Sequence, residues 1–174
     1  MDNSEAPGAA RRLVVVPVSP AQARRVADGE TLPGPVRAFA AGPALAATFG
    51  LDDPAGEEAE LAALQVAGVA GLARHGVRLV LTAQVAPGAV QGVDPAEAAN
   101  GGLLLRELPP GAVEAFFTDA VTPRDVALAG AAAGAAAGCD VDAAWPLPAV
   151  AALLAQAPLG WHDVTELDGW LSAR

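Results

Sequence analysis

The chain has 174 residues, 53% of them hydrophobic but only 4% aromatic, and its ten basic residues, all arginine, face twenty acidic ones for a formal net charge of −10. A domain of this size buries roughly 68–70% of the surface its unfolded chain exposes, so neither disulfides nor a metal are needed to hold it. The acidic balance argues against nucleic acid and anionic membranes, which both require a concentrated positive footprint.

Residues 1–11 are small and acidic and read as a disordered N-terminal tail, with one domain over 12–174. They lack the apolar core of a signal peptide, and Arg11 and Arg12 precede only a short run that meets Pro17. No stretch reaches the 18 or so consecutive apolar residues of a spanning helix. The only cysteine, Cys139, permits no internal disulfide, and the expected location is the reducing cytoplasm. The valine-rich run 13–18 reads as a central strand buried on both faces. Ser19 and Pro20 then start a helix that ends at Gly29, with Arg24 and Arg25 on its solvated side. The connection from Pro17 to Pro20 has no glycine to let backbone amides surround a phosphate, which argues against a nucleotide. Residues 36–41 form a second strand, and Pro43 opens a short helix closed by Gly50.

The stretch over 53–76 carries the longest helix pattern. Asp53 can cap it, Pro54 suits its first position, and Glu57, Glu58 and Glu60 lie where the positive end of the helix dipole favours them. Apolar residues surround its axis, the mark of a buried helix. Gly68 and Gly71 each cost about 1 kcal/mol relative to alanine, which implies a close packing contact. Arg74, His75 and Gly76 close the helix, and 77–85 alternates as the strongest strand in the chain. Pro87 and Gly88 break it. Asp94, Pro95 and Glu97 mark a brief helical turn closed by Asn100 and Gly101. Strands over 103–108 and 113–118 are separated by Pro109, Pro110 and Gly111, short enough for a hairpin. Helices follow over 122–137 and 146–156, and the chain ends on Trp161, His162, Asp163, Glu166 and Trp170.

The chemistry-bearing residues each have a structural explanation. Cys139 follows a helix end beside Asp140 and Asp142, all of which disfavour a thiolate. The stripe of Gly130, Gly134 and Gly138 is too short to span a membrane and reads as a close-packed helix or as low-complexity drift. His162 and Glu166, four apart, could share a helix face toward a metal or a proton transfer, but Asp163 and Glu166 also have the spacing of a capping box. Trp161 and Trp170 would mark a partner surface if exposed together.

The segments RLVVVPVSPAQARRVADGE, VRAFAAGPALAATFG, GEEAELAALQVA, VRLVLTAQV and GWHDVTELDGWL together resemble an uncharacterised family of small α/β proteins found mainly in actinobacteria. The resemblance covers most of the chain from Leu13 and implies a compact cytoplasmic α/β fold without a known substrate. Two features depart from the family's pattern: the helix after Thr122 is Ala/Gly-rich, and His162 stands in place of a tyrosine.

The expected fold is α/β, with α+β as the alternative: one two-layer domain with a mixed sheet of about five strands and helices mainly on one face. The long helix would serve as a crossover if the strand at 77–85 runs parallel to an earlier one. The expected function is a cytoplasmic, non-enzymatic binding or protein-interaction domain with no cofactor or metal. Its contacts would be Trp161, His162, Asp163, Glu166 and Trp170, and its partner another protein or a second copy. The alternative is a small enzyme that uses His162, Asp163 and the Glu57, Glu58 and Glu60 carboxylates.

Overall fold

A computed structural model describes residues 10–174; the expected tail over 1–11 lies, through residue 9, outside the described residues. The elements are β1 (Arg12–Pro17), α1 (Pro20–Ala27), β2 (Leu32–Phe39), α2 (Pro43–Phe49), α3 (Glu57–His75), β3 (Leu79–Val85), β4 (Val90–Val93), β5 (Gly102–Leu108), β6 (Val113–Thr118), α4 (Pro123–Ala136), α5 (Val141–Ala144), α6 (Pro148–Gln156), β7 (Gly160–Asp163) and α7 (Leu167–Ser172). They form one α/β domain around a seven-stranded sheet in the order β4-β5-β2-β1-β3-β6-β7.

The sheet corrects the expected architecture in three respects. It has seven strands, because β4 and β7 are four-residue edge strands too short to show a period. Every strand pair is antiparallel, so the sheet is not mixed, and α3 leads from α2 into β3, which lies antiparallel to β1, instead of making a parallel crossover. β5 and β6 do not form a hairpin: β5 lies between β4 and β2, and β6 between β3 and β7. The cause is local. The sequence Pro-Gly-Ala-Val occurs at 87–90 and again at 110–113, and each time Pro-Gly-Ala forms a single 3₁₀ turn after which the next strand joins a different part of the sheet.

The sheet is also creased. β1 and β2 are joined by the single bridge Val15↔Phe39, so β4-β5-β2 and β1-β3-β6-β7 are two halves meeting at one point. Alternation along the strands sends Val14, Val16, Leu79 and Leu81 to one face, where α1 and α7 cover them through Ala23, Val26 and Leu167. Val15, Phe39 and Val80 face the other side, under α2 to α6. Most helices therefore lie on one face as expected, but α1 and α7 add a third layer.

Local signals explain most helix ends. Ser19 and Gln22 form a reciprocal capping box on α1, and Gly76 closes α3 in the left-handed region at φ 69°. The start of α3 is a correction. Asp53 does not cap it; its carboxylate accepts from the Ala55 N–H at 2.9 Å, and its carbonyl from the Gly56 N–H at 3.3 Å, making a separate turn. The helix then begins after Gly56. Its first turns bury only Ala59 and Ala63 and leave Leu61 exposed, whereas from Val66 to Ala73 every residue is buried, with the small-residue arc of Ala63, Ala67 and Ala70 running along one side. Small side chains there let the helix axis approach the sheet closely.

The glycines of α3 show how closely. A Cβ on Gly71 would lie 2.8 Å from the Val77 carbonyl oxygen, and one on Gly68 would lie 3.3 Å from Cδ of Arg78. Helix propensity alone favours alanine at both by about 1 kcal/mol. Gly71→Ala is nevertheless expected to destabilise the domain, by about 1–3 kcal/mol, because a backbone atom must move. A urea unfolding midpoint equal to or above that of the parent would contradict this. Gly130 and Gly134 differ: a Cβ on either meets nothing within 4 Å, so no close approach explains them. Among the described residues no helix is long and apolar enough to cross a membrane.

Among the described residues Arg78 is the largest fully buried side chain. Its Nε donates to Asp119 Oδ1 at 2.9 Å, and its Nη2 donates to the same oxygen and to the Ala157 carbonyl at 2.6 Å. One guanidinium thus ties the end of β6 and the chain leaving α6 to the foot of α3.

Candidate functional site

The sequence points first to the C-terminal stretch. Asp163 and Glu166 form a reciprocal capping box on the 3₁₀ turn that leads into α7. The Thr165 hydroxyl and then its backbone N–H hold the Asp163 carboxyl below its ordinary pKa. His162 Nδ1 lies 3.7 Å from Glu166 Oε2, and its ring stacks on Phe116 with centroids 4.8 Å apart. Trp170 meets the same Phe116 edge-on at 5.7 Å and is covered by the Arg174 guanidinium at 3.9 Å. Trp161 does not join them. It pairs with Phe117, one residue on from the Phe116 that His162 faces, so it points to the opposite side of the sheet and is 61% exposed. The two tryptophans therefore do not make one patch.

Nor do the acid/base candidates converge. Glu57, Glu58 and Glu60 begin α3, which packs on one face of the sheet, whereas the Phe116 that carries His162 belongs to the cluster on the other. His75, which precedes the glycine that closes α3, is partly buried, and that burial lowers its pKa. Among the described residues no group of three His, Cys, Asp or Glu side chains is placed to hold a metal.

The strongest convergence of polar groups lies elsewhere, in the β4–β5 connection. Asp94 opens this loop by accepting from the Ala96 N–H at 3.1 Å, and it is paired with Arg37 at 3.4 Å. The loop closes on Gly101 at φ 76°, where a Cβ would sit 2.5 Å from the Ala40 carbonyl oxygen, so only glycine fits. Between these ends the loop turns Glu97 and Asn100 inward, 6% and 2% exposed. Glu97 Oε1 accepts from the Val141 N–H at 3.1 Å, which anchors the start of α5. Asn100 Nδ2 donates to Glu97 Oε2 and to Asp142 Oδ1, each at 3.0 Å.

Two members of this network, the buried Asn100 and the exposed Asp142, line a cavity of about 500 Å³ between α2, the loop and α5. Thr48 and Phe49 line it from α2, and Asn100, Asp142 and Trp145 from the other elements. Phe49 and Trp145 meet edge to face, with centroids 5.2 Å apart. A smaller cavity of about 160 Å³, which includes Gln22, Arg37, Arg74 and His75 in its wall, lies where β1 and β2 diverge below their single bridge. Sequence reading missed Glu97, Asn100 and Asp142 as a group. The available signal was three polar side chains, Asp94, Glu97 and Asn100, ahead of the Gly101–Gly102 pair, more polarity than a brief turn requires.

Comparison with curated proteins and with solved structures returns no match. Residues 12–171, nearly the whole described domain, match the model of a family of unknown function, DUF6912, and the chain belongs to that family.

Proposed function

We propose that this domain is a non-enzymatic binding protein whose ligand occupies the cavity walled by Phe49 and Trp145, and that it works in the cytoplasm, the compartment that suits a single unpaired cysteine. The observation that carries the reading is the buried Asn100, oriented by Glu97 and Asp142 at the floor of an aromatic-walled cavity. Small-molecule sites commonly measure about 300–1,000 Å³ and combine apolar walls with a few fixed polar groups, a description this cavity meets. A screen of small fragments against ¹⁵N-labelled protein, read at the tryptophan indole N–H signals, tests it. Some fragments should shift the Trp145 signal and lose affinity in Phe49→Ala; a library that never moves that signal sinks the reading.

A second reading, a protein partner or a second copy, is favoured by the exposure of Trp161 on the edge strand β7. It places the contact at Trp161 and separates it from Trp170 on the other face. A native-mass measurement in which the parent chain and Trp161→Ser are both monomeric at all concentrations would remove the second-copy form of this reading.

A further inference from the structure

We propose that the ligand class this cavity selects is a primary organic ammonium, a protonated amine carried on a flat or apolar body. The proposal rests on the cavity being a ligand site and adds what the ligand must be.

The first ground is charge. The ion pairs among the described residues engage Asp28, Glu30, Asp94, Asp119, Glu166 and Asp168. Glu97 and Asp142 are in none of them. Arg37 shares the wall of the smaller cavity with Glu97 but is paired with Asp94. Two carboxylates therefore meet across one neutral amide with no basic partner among the described residues, and in a partly enclosed site a negative charge of this kind attracts a cation.

The second ground is the hydrogen-bonding direction of the floor. Both Nδ2 hydrogens of Asn100 go to carboxylates, so its oxygen is what it can offer the cavity that it lines. Asp142 uses Oδ1 on that amide and keeps its second oxygen. The Thr48 hydroxyl has one hydrogen, already directed at the Ala44 and Ala99 carbonyls. Asn100, Asp142 and Thr48 thus present acceptors to the cavity, and the one remaining side-chain donor in its lining is the Trp145 indole N–H. A carboxylate or phosphate ligand would meet oxygens, and a neutral alcohol brings one hydrogen, whereas a primary ammonium brings three. The third ground is the wall. Aromatic ring faces attract cations and accept flat apolar groups, and Phe49 and Trp145 supply two such rings at the floor's edge. A metal ion fits less well, because no three ligating side chains converge among the described residues.

The experiment titrates four compounds that share a benzyl group into ¹⁵N-labelled protein: benzylammonium, benzyl alcohol, phenylacetate and benzyltrimethylammonium. The Trp145 indole N–H, assigned with Trp145→Phe, is the readout. Benzylammonium should bind at least about tenfold more tightly than benzyl alcohol, the usual scale for hydrogen bonds to a charged group. Benzyltrimethylammonium, which carries the charge without N–H donors, should bind more weakly than benzylammonium, and phenylacetate should not bind. Asp142→Asn, an exposed and nearly isosteric change, should weaken benzylammonium by about tenfold while leaving the thermal midpoint in place. Benzyl alcohol or phenylacetate binding as well as benzylammonium overturns the ammonium class, and equal binding of benzyltrimethylammonium overturns its primary character. If the fragment screen finds ligands at Trp145 but none of these cations binds, the proposal falls and the cavity remains a ligand site. If nothing in either experiment moves Trp145, both fall.

Discussion

Asp119→Ala is expected to lower the free energy of unfolding by about 3–5 kcal/mol, the range for breaking a buried ion pair from one side. Against a total stability of about 5–15 kcal/mol that is a large share. The loss comes less from the vanished attraction than from what stays behind. Arg78 is fully buried, its Nη1 has no partner, and without Asp119 its side-chain hydrogen bonding reduces to the Ala157 carbonyl. A guanidinium cannot shed its charge to escape, because its pKa lies too high. The double substitution Arg78→Met with Asp119→Leu should therefore recover most of the loss, since removing both charges leaves no uncompensated ion. Urea unfolding of parent, single and double variants measures the cycle. An Asp119→Ala protein within about 1 kcal/mol of the parent would mean that water reaches the pair, as at exposed ion pairs.

The second large effect is expected at Gly34. A Cβ there would lie 1.9 Å from the Arg106 carbonyl oxygen and 2.5 Å from the carbonyl carbon. The obstacle is backbone, so no side-chain rotation relieves it. β2 pairs with β5 on both sides of this point, at Pro33↔Glu107 and Val36↔Leu105, with a register shift between them. Gly34→Ala must push the strands apart inside that pairing, at a cost of about 3 kcal/mol or more, the upper end for overpacking. For a chain of this length each kcal/mol lowers the melting midpoint by about 2–4 °C. The drop should be accompanied by faster amide exchange at Leu32 and Leu108, the neighbouring pair. A melting midpoint unchanged from the parent would show that the register shift between β2 and β5 is not fixed by this contact.

Much of the fold is legible in the sequence because punctuation and periodicity act locally. Ser19 with Pro20, Thr122 with Pro123, and Gly29, Gly50 and Gly76 mark helix ends that the structure places within a residue or two. Alternation finds β3, and the valine run finds β1. Pairing partners are not local. Pro109, Pro110 and Gly111 suit a hairpin as well as they suit a corner, and only the neighbouring strands decide which forms. β4 was hidden by its length and by the Pro87–Gly88 break, and with it the fact that 94–101 is a strand-to-strand connection. For the same reason the grouping of Glu97, Asn100 and Asp142 was not visible: Asp142 lies 42 residues from Asn100 in sequence. The capping box of Asp163 and Glu166 shows the opposite case, a constellation within four residues that spacing alone describes.

The two halves that meet at Val15↔Phe39 are interleaved along the chain. One takes β1, β3, β6 and β7, and the other takes β2, β4 and β5. A cut anywhere between β2 and β5 divides both halves at once, so neither can be excised as an autonomous piece. Productive folding must then await partners far apart in sequence, which slows the search and binds both halves into a single cooperative transition.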